Sequence, residues 1–228
     1  MKEVKVISLG GSLIVPEKID LKFLKEFRQA INKNRSRYKF IIVCGGGTTA
    51  RKYISAIEGL GLNEKFQDFA GISATRMNAR FISYLFGVNP ENGIPHTLKE
   101  VESLIKKQSI VICGALEYKP RETSDATSAE IAKHFHADFI NLTNVSGLHD
   151  KNPKRFRDAK FIPRISWEGL YTMANKLDFR PGQHFVIDQT ASRVIMENRI
   201  KTYIIGKNMK NLDNLLNNRK FTGTIVEG

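Results

Sequence analysis

The sequence predicts an α/β fold, a three-layer αβα sandwich around a central, mostly parallel sheet. Three observations carry that expectation. Five short apolar runs, Val4–Leu9, Phe40–Cys44, Ser109–Cys113, Asp138–Leu142 and Thr202–Ile205, are continuous rather than alternating, as in strands buried on both faces. Segments of helical spacing separate them. Each run ends in glycine or a small polar residue: Gly10-Gly11-Ser12, Gly45-Gly46-Gly47, Gly114-Ala115, Thr143-Asn144 and Gly206-Lys207. Ligands of such sheets bind outside the carboxyl ends of the strands, so one sheet edge is expected to form the site.

In chain order, Val4–Leu9 is the first strand and Asp20–Asn32 the first long helix, followed by the strand Phe40–Cys44. Helices are expected over Thr48–Glu58, Phe66–Phe86 and Leu98–Lys106, then the strand Ser109–Cys113, the helix Ala126–His134 and the strand Asp138–Leu142. The stretch Ser146–Ser166 is polar, basic and marked by Pro153 and Pro163. It is expected to separate an N-terminal lobe (about 1–140) from a C-terminal lobe (about 141–228) of a single domain, 1–228. Helices Trp167–Ala174 and Asp188–Asn198 follow, and Thr222–Val226 reads as a closing strand after Thr202–Ile205.

Composition narrows the classes. The 228 residues are long enough for a sizeable core, and 41% are hydrophobic, which suggests neither disorder nor a membrane protein. No apolar run approaches the ~20 residues of a membrane span. The first strand begins almost at once, leaving no room for a signal peptide. Cys44 and Cys113 both end apolar runs, and two isolated cysteines make neither a disulfide framework nor a zinc site. A cytoplasmic location is expected. The net charge of +13 and pI of about 9.8 raise a nucleic-acid reading. The basic clusters at Asn32–Lys39, Lys151–Lys160 and Lys207–Lys220 read instead as solvated turns and helix faces. Attraction for small polyanionic substrates accounts for the excess equally well.

The most informative segment is Val43-Cys44-Gly45-Gly46-Gly47-Thr48-Thr49-Ala50-Arg51. Three glycines let a backbone approach a ligand closely. The helix that follows points unpaired N–H groups and the positive end of its dipole at that ligand. Arg51 adds a forked cation suited to phosphate. A tight strand-to-helix turn with a solvated arginine is the plainer alternative. The spacing Gly45-x-Gly47-x-x-Ala50 also fits a loose dinucleotide fingerprint, with Asp68 as the ribose acid. That acid should end a strand, and Asp68 sits in helical spacing. A P-loop motif is absent.

The segment Arg121-Glu122-Thr123-Ser124-Asp125-Ala126 opens a helix just after the third strand. It reads as a second anion site built from Thr123, Ser124 and nearby N–H groups, with Asp125 orienting a lysine or magnesium. Helix capping by Asp125 or Thr127 is the alternative, Thr127-x-x-Glu130 being a capping-box pattern. Both roles are compatible.

Taken with Val6-Ile7-Ser8-Leu9-Gly10-Gly11-Ser12, Phe66-Gln67-Asp68-Phe69-Ala70-Gly71, Thr75-Arg76-Met77-Asn78, Leu142-Thr143-Asn144-Val145 and Thr222-Gly223-Thr224-Ile225, these segments resemble the amino acid kinase family over essentially the whole chain. The Gly-Gly-Gly and Asp-x-x-Gly motifs resemble its archaeal-type uridylate (UMP) kinase branch most closely. The resemblance implies the amino acid kinase (carbamate kinase-like) fold and γ-phosphoryl transfer from ATP, with Mg2+, to UMP. It places Gly11, Ser12, Gly47, Arg51, Thr143, His149 and Asn152 on the ATP side and Gly46, Asp68, Arg76, Thr123 and Ser124 on the UMP side. Asp125 and Arg51 take the catalytic roles, and a homo-hexamer built on the Phe66–Phe86 region is implied. An exposed helix acid and an exposed helix arginine are the alternatives for Asp68 and Arg76. Lys5 points away from the first loop, and Ser8 holds the position facing the site.

Two loops depart from the family pattern. Val145-Ser146-Gly147-Leu148-His149-Asp150-Lys151-Asn152-Pro153 stands where the family usually reads Val-Asp-Gly-Val-Tyr-x-x-Asp-Pro. Gly114-Ala115-Leu116-Glu117-Tyr118-Lys119-Pro120-Arg121 replaces Gly-Gly-Thr-x-Pro-Gly. A kinase of the same fold for another small phosphorylated or carboxylated substrate is therefore the first rival. A non-catalytic nucleotide or oxyanion binder is the second. Nucleic acid is the third, carried by charge alone.

Overall fold

A computed structural model describes residues 2–88, 93–120, 122–153, 155–176 and 186–228. The strands β1 (Glu3–Leu9), β2 (Tyr38–Cys44), β3 (Ile110–Cys113), β4 (Asp138–Leu142) and β8 (Thr202–Ile205) are the five apolar runs of the sequence. Two short strands, β7 (Arg164–Ile165) and β9 (Thr224–Val226), complete a seven-stranded sheet of order β3-β2-β1-β4-β8-β9-β7. Pairing is parallel from β3 to β8, with Leu9 beside Cys44 and Leu142. β9 runs antiparallel to β8, and β7 runs parallel to β9. The sheet continues unbroken across residue 140, where the two lobes were expected to meet.

The helices are α1 (Gly11–Ile14), α2 (Leu21–Asn34), α3 (Gly47–Gly59), α4 (Glu64–Leu85), α5 (Leu98–Lys107), α6 (Ser124–His134), α7 (Trp167–Lys176), α8 (Gln189–Glu197) and α9 (Met209–Leu216). Side chains alternate across the sheet. Ile7, Leu9, Phe40 and Ile42 pack with Phe27 of α2 and Leu212 of α9 on one face. Val6, Ile41, Val43 and Phe139 pack with Ile131 of α6 and Ile195 of α8 on the other. Both faces are covered, as the unbroken apolar runs require.

The basic stretch Lys207–Lys220 holds a helix beyond those expected, α9, whose Met209, Leu212 and Leu216 are buried, while Lys207, Lys210, Arg219 and Lys220 are exposed as a solvated face. Its apolar residues recur at helical spacing beneath the lysines, and the charge hides them. The stretch Ser146–Ser166, expected to separate two lobes, carries short strands of its own. It forms β5 (Leu148–His149) paired with β6 (Phe161–Ile162), and then β7. Thr224 ties that ribbon to β9, accepting from Leu148 N at 2.7 Å and donating to the Ile162 carbonyl at 2.6 Å. Finally, α6 is capped by neither Asp125 nor Thr127 but by Thr123, whose hydroxyl accepts from Ala126 N at 3.0 Å.

Candidate active site

The sheet reverses its direction of winding at the β1–β4 pair, and the turns after β1 and β2 meet there. Gly45 N donates to the Leu9 carbonyl and Gly10 N to the Leu142 carbonyl, both at 3.0 Å. The turns then touch backbone to backbone. A Cβ on Gly11 would lie 2.0 Å from Gly47 N. Gly47 itself has φ +63, a left-handed conformation open to glycine without strain. From below, buried Asn78 of α4 donates to the Gly45 carbonyl at 2.7 Å, so the long helix holds the glycine turn in place. A Cβ built on Gly46 would meet Ala50 and Ala74, which puts Gly46 against α4.

This junction receives two helix N-termini. α3 starts at Gly47 with no side chain capping it, so its first N–H groups remain available for an anion. Arg51 lies one turn along, exposed, and donates to Thr48 Oγ1 at 2.9 Å. Thr48 in turn donates to the Pro16 carbonyl at 2.5 Å, fastening α3 to the segment after α1. The second N-terminus is that of α6. The Ser124 hydroxyl lies 3.3 Å from where a Cβ on Gly45 would be. Asp125 accepts from the fully buried Ser8 hydroxyl of β1 at 2.7 Å. The residue on β1 expected to face the site therefore does so by holding Asp125. Lys5 instead pairs with Asp138 at 2.6 Å and with Glu3 at 2.5 Å. Burial pulls its pKa down, but the two carboxylates outweigh that and leave it raised.

Electrostatics single out Asp125. Burial, then the nearby charge of Asp188, push its carboxyl up from 3.8 to about 7, against the pull of the Ser8 and Asn141 hydrogen bonds. The whole residue keeps some surface exposure, so it is the carboxyl end that lies desolvated. Sequence reasoning assigned no role to Asp188 or Asn141. Asp188 caps α8 through Ala191 N at 3.0 Å and accepts from the Thr123 hydroxyl at 2.5 Å. Thr123 and Asp188 thus lock two helix starts together beside Asp125. Asn141 of β4 also donates to the Val186 carbonyl at 2.8 Å. A buried asparagine inside an apolar strand was the signal available in the sequence.

The other candidates lie around this centre. Thr143 extends the β4 ladder, its N–H donating to the Ile205 carbonyl at 3.0 Å. His149 on β5 packs edge-on against Phe161 with ring centroids 5.4 Å apart, and its Nδ1 lies 3.1 Å from the Gly147 carbonyl. Asn152 follows in the next turn, where its carbonyl accepts from Arg155 N and Phe156 N. Ser12 lies within α1, beside Gly11. Asp68 faces Tyr118 across the start of α4. Arg76 does not point free: its Nε donates to the Ala115 carbonyl at 3.0 Å and its Nη2 to that of Leu116. It fastens the segment after β3 to α4. Arg121 lies outside the described residues.

A cavity of about 640 Å³ opens elsewhere, beside the amino ends of β2 and β3, with Lys2, Arg35, Phe86, Ile94 and Gln108 in its lining. Among the described residues its lining holds no carboxylate, and the glycine turns lie at the other edge of the sheet. No helix among the described residues is long and apolar enough to cross a membrane.

The chain is similar to known proteins over essentially its whole length. The model of the Amino acid kinase family matches residues 3–206. A uridylate kinase from Thermoplasma volcanium is 36% identical over 100% of this chain and 99% of its own length. One from Thermococcus kodakarensis is 34% identical over 97% of this chain and 98% of its own. The crystal structure of the uridylate kinase from Archaeoglobus fulgidus superposes with a TM-score of 0.83 at 33% identity, covering 99% of this chain and 100% of that one. A family model spanning most of the chain, and full-length relatives above 30% identity, show that the chain belongs to the amino acid kinase family.

Proposed function

We propose that the protein is a uridylate kinase, transferring the γ-phosphoryl group of ATP to the phosphate of UMP to give UDP. The convergence of Asp125, held by Ser8, with the α3 and α6 N-termini at one glycine junction carries this reading. The full-length uridylate kinase relatives support it. Phosphoryl transfer needs positioning and charge neutralisation more than a covalent catalyst, and this junction offers both. Gly11, Ser12 and Gly47 present N–H groups to the donor phosphates, and Arg51 grips them from α3. Thr143, His149 and Asn152 line the nucleoside side of ATP. Gly46, Thr123 and Ser124 receive the acceptor phosphate, and Asp68 accepts from the acceptor ribose. Arg76 supports the acceptor side through the segment it fastens.

Magnesium would arrive with the nucleotide. Among the described residues no group of three or more His, Cys, Asp or Glu could hold a metal ion. Mg2+ is commonly held by one or two carboxylates together with substrate phosphates, and Asp125 is placed for that. When bound, the ion neutralises phosphate charge.

Self-association belongs to the same proposal. Among the described side chains of α3 none is buried. Tyr53 (60%), Phe66 (55%) and Met77 (56%) are exposed along α3 and α4, an apolar surface suited to a homo-hexamer. Light scattering measures its mass.

A coupled assay with ATP, magnesium and a panel of nucleoside monophosphates tests the function. Turnover should be highest with UMP. Preference for another acceptor would reassign the substrate, and ATP binding without any turnover would favour the non-catalytic binder. Within that assay, Arg51→Ala is expected to raise the Michaelis constant for ATP by about tenfold or more. A hydrogen bond to a charged group is worth about 1.5–3 kcal/mol. Unchanged ATP kinetics in a folded variant would reduce Arg51 to a surface residue bonded to Thr48.

A further inference from the structure

Arg51 stands exposed on the first turns of α3. Its Nη2 donates to Thr48 Oγ1 at 2.9 Å, the one bond to its guanidinium among the described residues. A hydroxyl carries one proton and two lone pairs. The Thr48 proton goes to the Pro16 carbonyl at 2.5 Å, which leaves the lone pairs for the guanidinium. In such a chain each hydrogen bond strengthens the next. The Pro16 carbonyl is in turn placed by the β1 turn. Leu13 N donates to the Gly10 carbonyl at 2.8 Å and Val15 N to the Gly11 carbonyl at 2.9 Å. These bonds wind α1 onto Gly10 and Gly11, and Pro16 follows at once with its φ fixed by the ring.

We infer that Thr48 is a positioning residue for the donor site: its hydroxyl registers Arg51 of α3 against the β1 turn. The arginine fork and the Gly11 and Ser12 N–H groups then meet one phosphate chain together. The inference rests on the donor role of Arg51 proposed above. Backbone contact between Gly11 and Gly47 fixes only the root of α3, and the guanidinium lies at the end of a long side chain. Such a chain loses much rotamer freedom when it is held. The bond to Thr48 removes part of that freedom before ATP arrives, and a group ordered in advance binds more tightly. The other N–H groups of the fork remain donors for phosphate.

The test is titration calorimetry of ATP with magnesium, without acceptor, into the wild type and five variants. These are Thr48→Val, Thr48→Ala, Thr48→Ser, Arg51→Ala and Thr48→Val combined with Arg51→Ala. Both hydroxyl-free variants should weaken ATP binding about threefold to tenfold, the range given by the net worth of one hydrogen bond. The Michaelis constant for ATP should rise by a similar factor, with that for the acceptor little changed. Thr48→Ser keeps the hydroxyl and should bind ATP as the wild type does. On top of Arg51→Ala, Thr48→Val should cost little more, because the hydroxyl acts through the guanidinium and coupled residues are not additive. An equal loss in both backgrounds, or a loss in Thr48→Ser as large as in Thr48→Val, would make Thr48 a packing residue and overturn the inference. So would a loss with valine and none with alanine. If Arg51→Ala weakens ATP binding and neither hydroxyl-free variant does, the positioning role is overturned and the donor role of Arg51 stands. If Arg51→Ala leaves ATP binding unchanged, both are overturned.

Discussion

Asp125→Asn is expected to lower turnover about a hundredfold to a thousandfold, the usual cost of removing one preorganised charged or polar group from a reacting centre. The fold should survive, because the N-cap of α6 is the Thr123 hydroxyl and not Asp125. The pH dependence separates catalysis from packing. Burial and Asp188 raise the Asp125 carboxyl from 3.8 to about 7. Between those values the folded chain keeps a proton that the unfolded chain has released. The wild type therefore loses stability as pH rises through that window. Asparagine has no charge to desolvate, so the variant's melting temperature should improve relative to the wild type from pH 5 to pH 8. Wild-type turnover should rise over pH 6–8 as the Asp125 carboxylate forms. Ser8, which hydrogen-bonds the carboxyl, does not titrate. Kinetics and melting curves at pH 5, 6, 7 and 8 check both effects. Wild-type turnover in the variant would leave Asp125 a packing residue.

The sheet was legible because strands buried on both faces must be apolar without interruption. Val4–Leu9 and Phe40–Cys44 could be read as nothing else, and β1 and β2 occupy them. The long helix was legible from its spacing, and α4 spans Glu64–Leu85 where Phe66–Phe86 was expected. What failed was signal diluted by charge or brevity. α9 buries three apolar residues among lysines and asparagines, and β5, β6 and β7 are two residues each, too short to show a period. At the site, the glycine turns could be read because few residues other than glycine allow such close backbone approach. The Ser8–Asp125 bond joins residues 117 positions apart in sequence, so only the sheet-edge argument hinted at it. Asp188 looked like a helix start, and it is one. Its second bond, to Thr123, depends on α6 and α8 lying side by side. Arg76 adds a contact that spacing could not show: Nε and Nη2 each give one hydrogen bond to a carbonyl of the segment after β3, and the remaining N–H groups of the fork are still donors.

Gly11→Ala is expected to cost about a hundredfold in kcat/KM for ATP and to lower the melting temperature, because the added methyl meets only backbone. Its Cβ would lie 2.0 Å from Gly47 N, 2.5 Å from Gly47 Cα and 2.7 Å from Gly45 C. No flexible side chain stands there to move aside, so one turn must shift from the other. Overpacking of this kind costs about 1–3 kcal/mol. A displacement near 1 Å at a positioning site costs about a hundredfold in rate. Gly59→Ala supplies the control. It lies at the far end of α3, and a Cβ there would meet nothing within 4 Å. Alanine narrows the unfolded ensemble at such a position and should stabilise by about 0.4–1 kcal/mol, with unchanged kinetics. The two substitutions are chemically identical and differ in what the methyl meets. If Gly11→Ala keeps wild-type ATP kinetics, the β1 and β2 turns do not bind the donor phosphates. If both variants lose activity together, general fragility of the chain is the cause and not the junction.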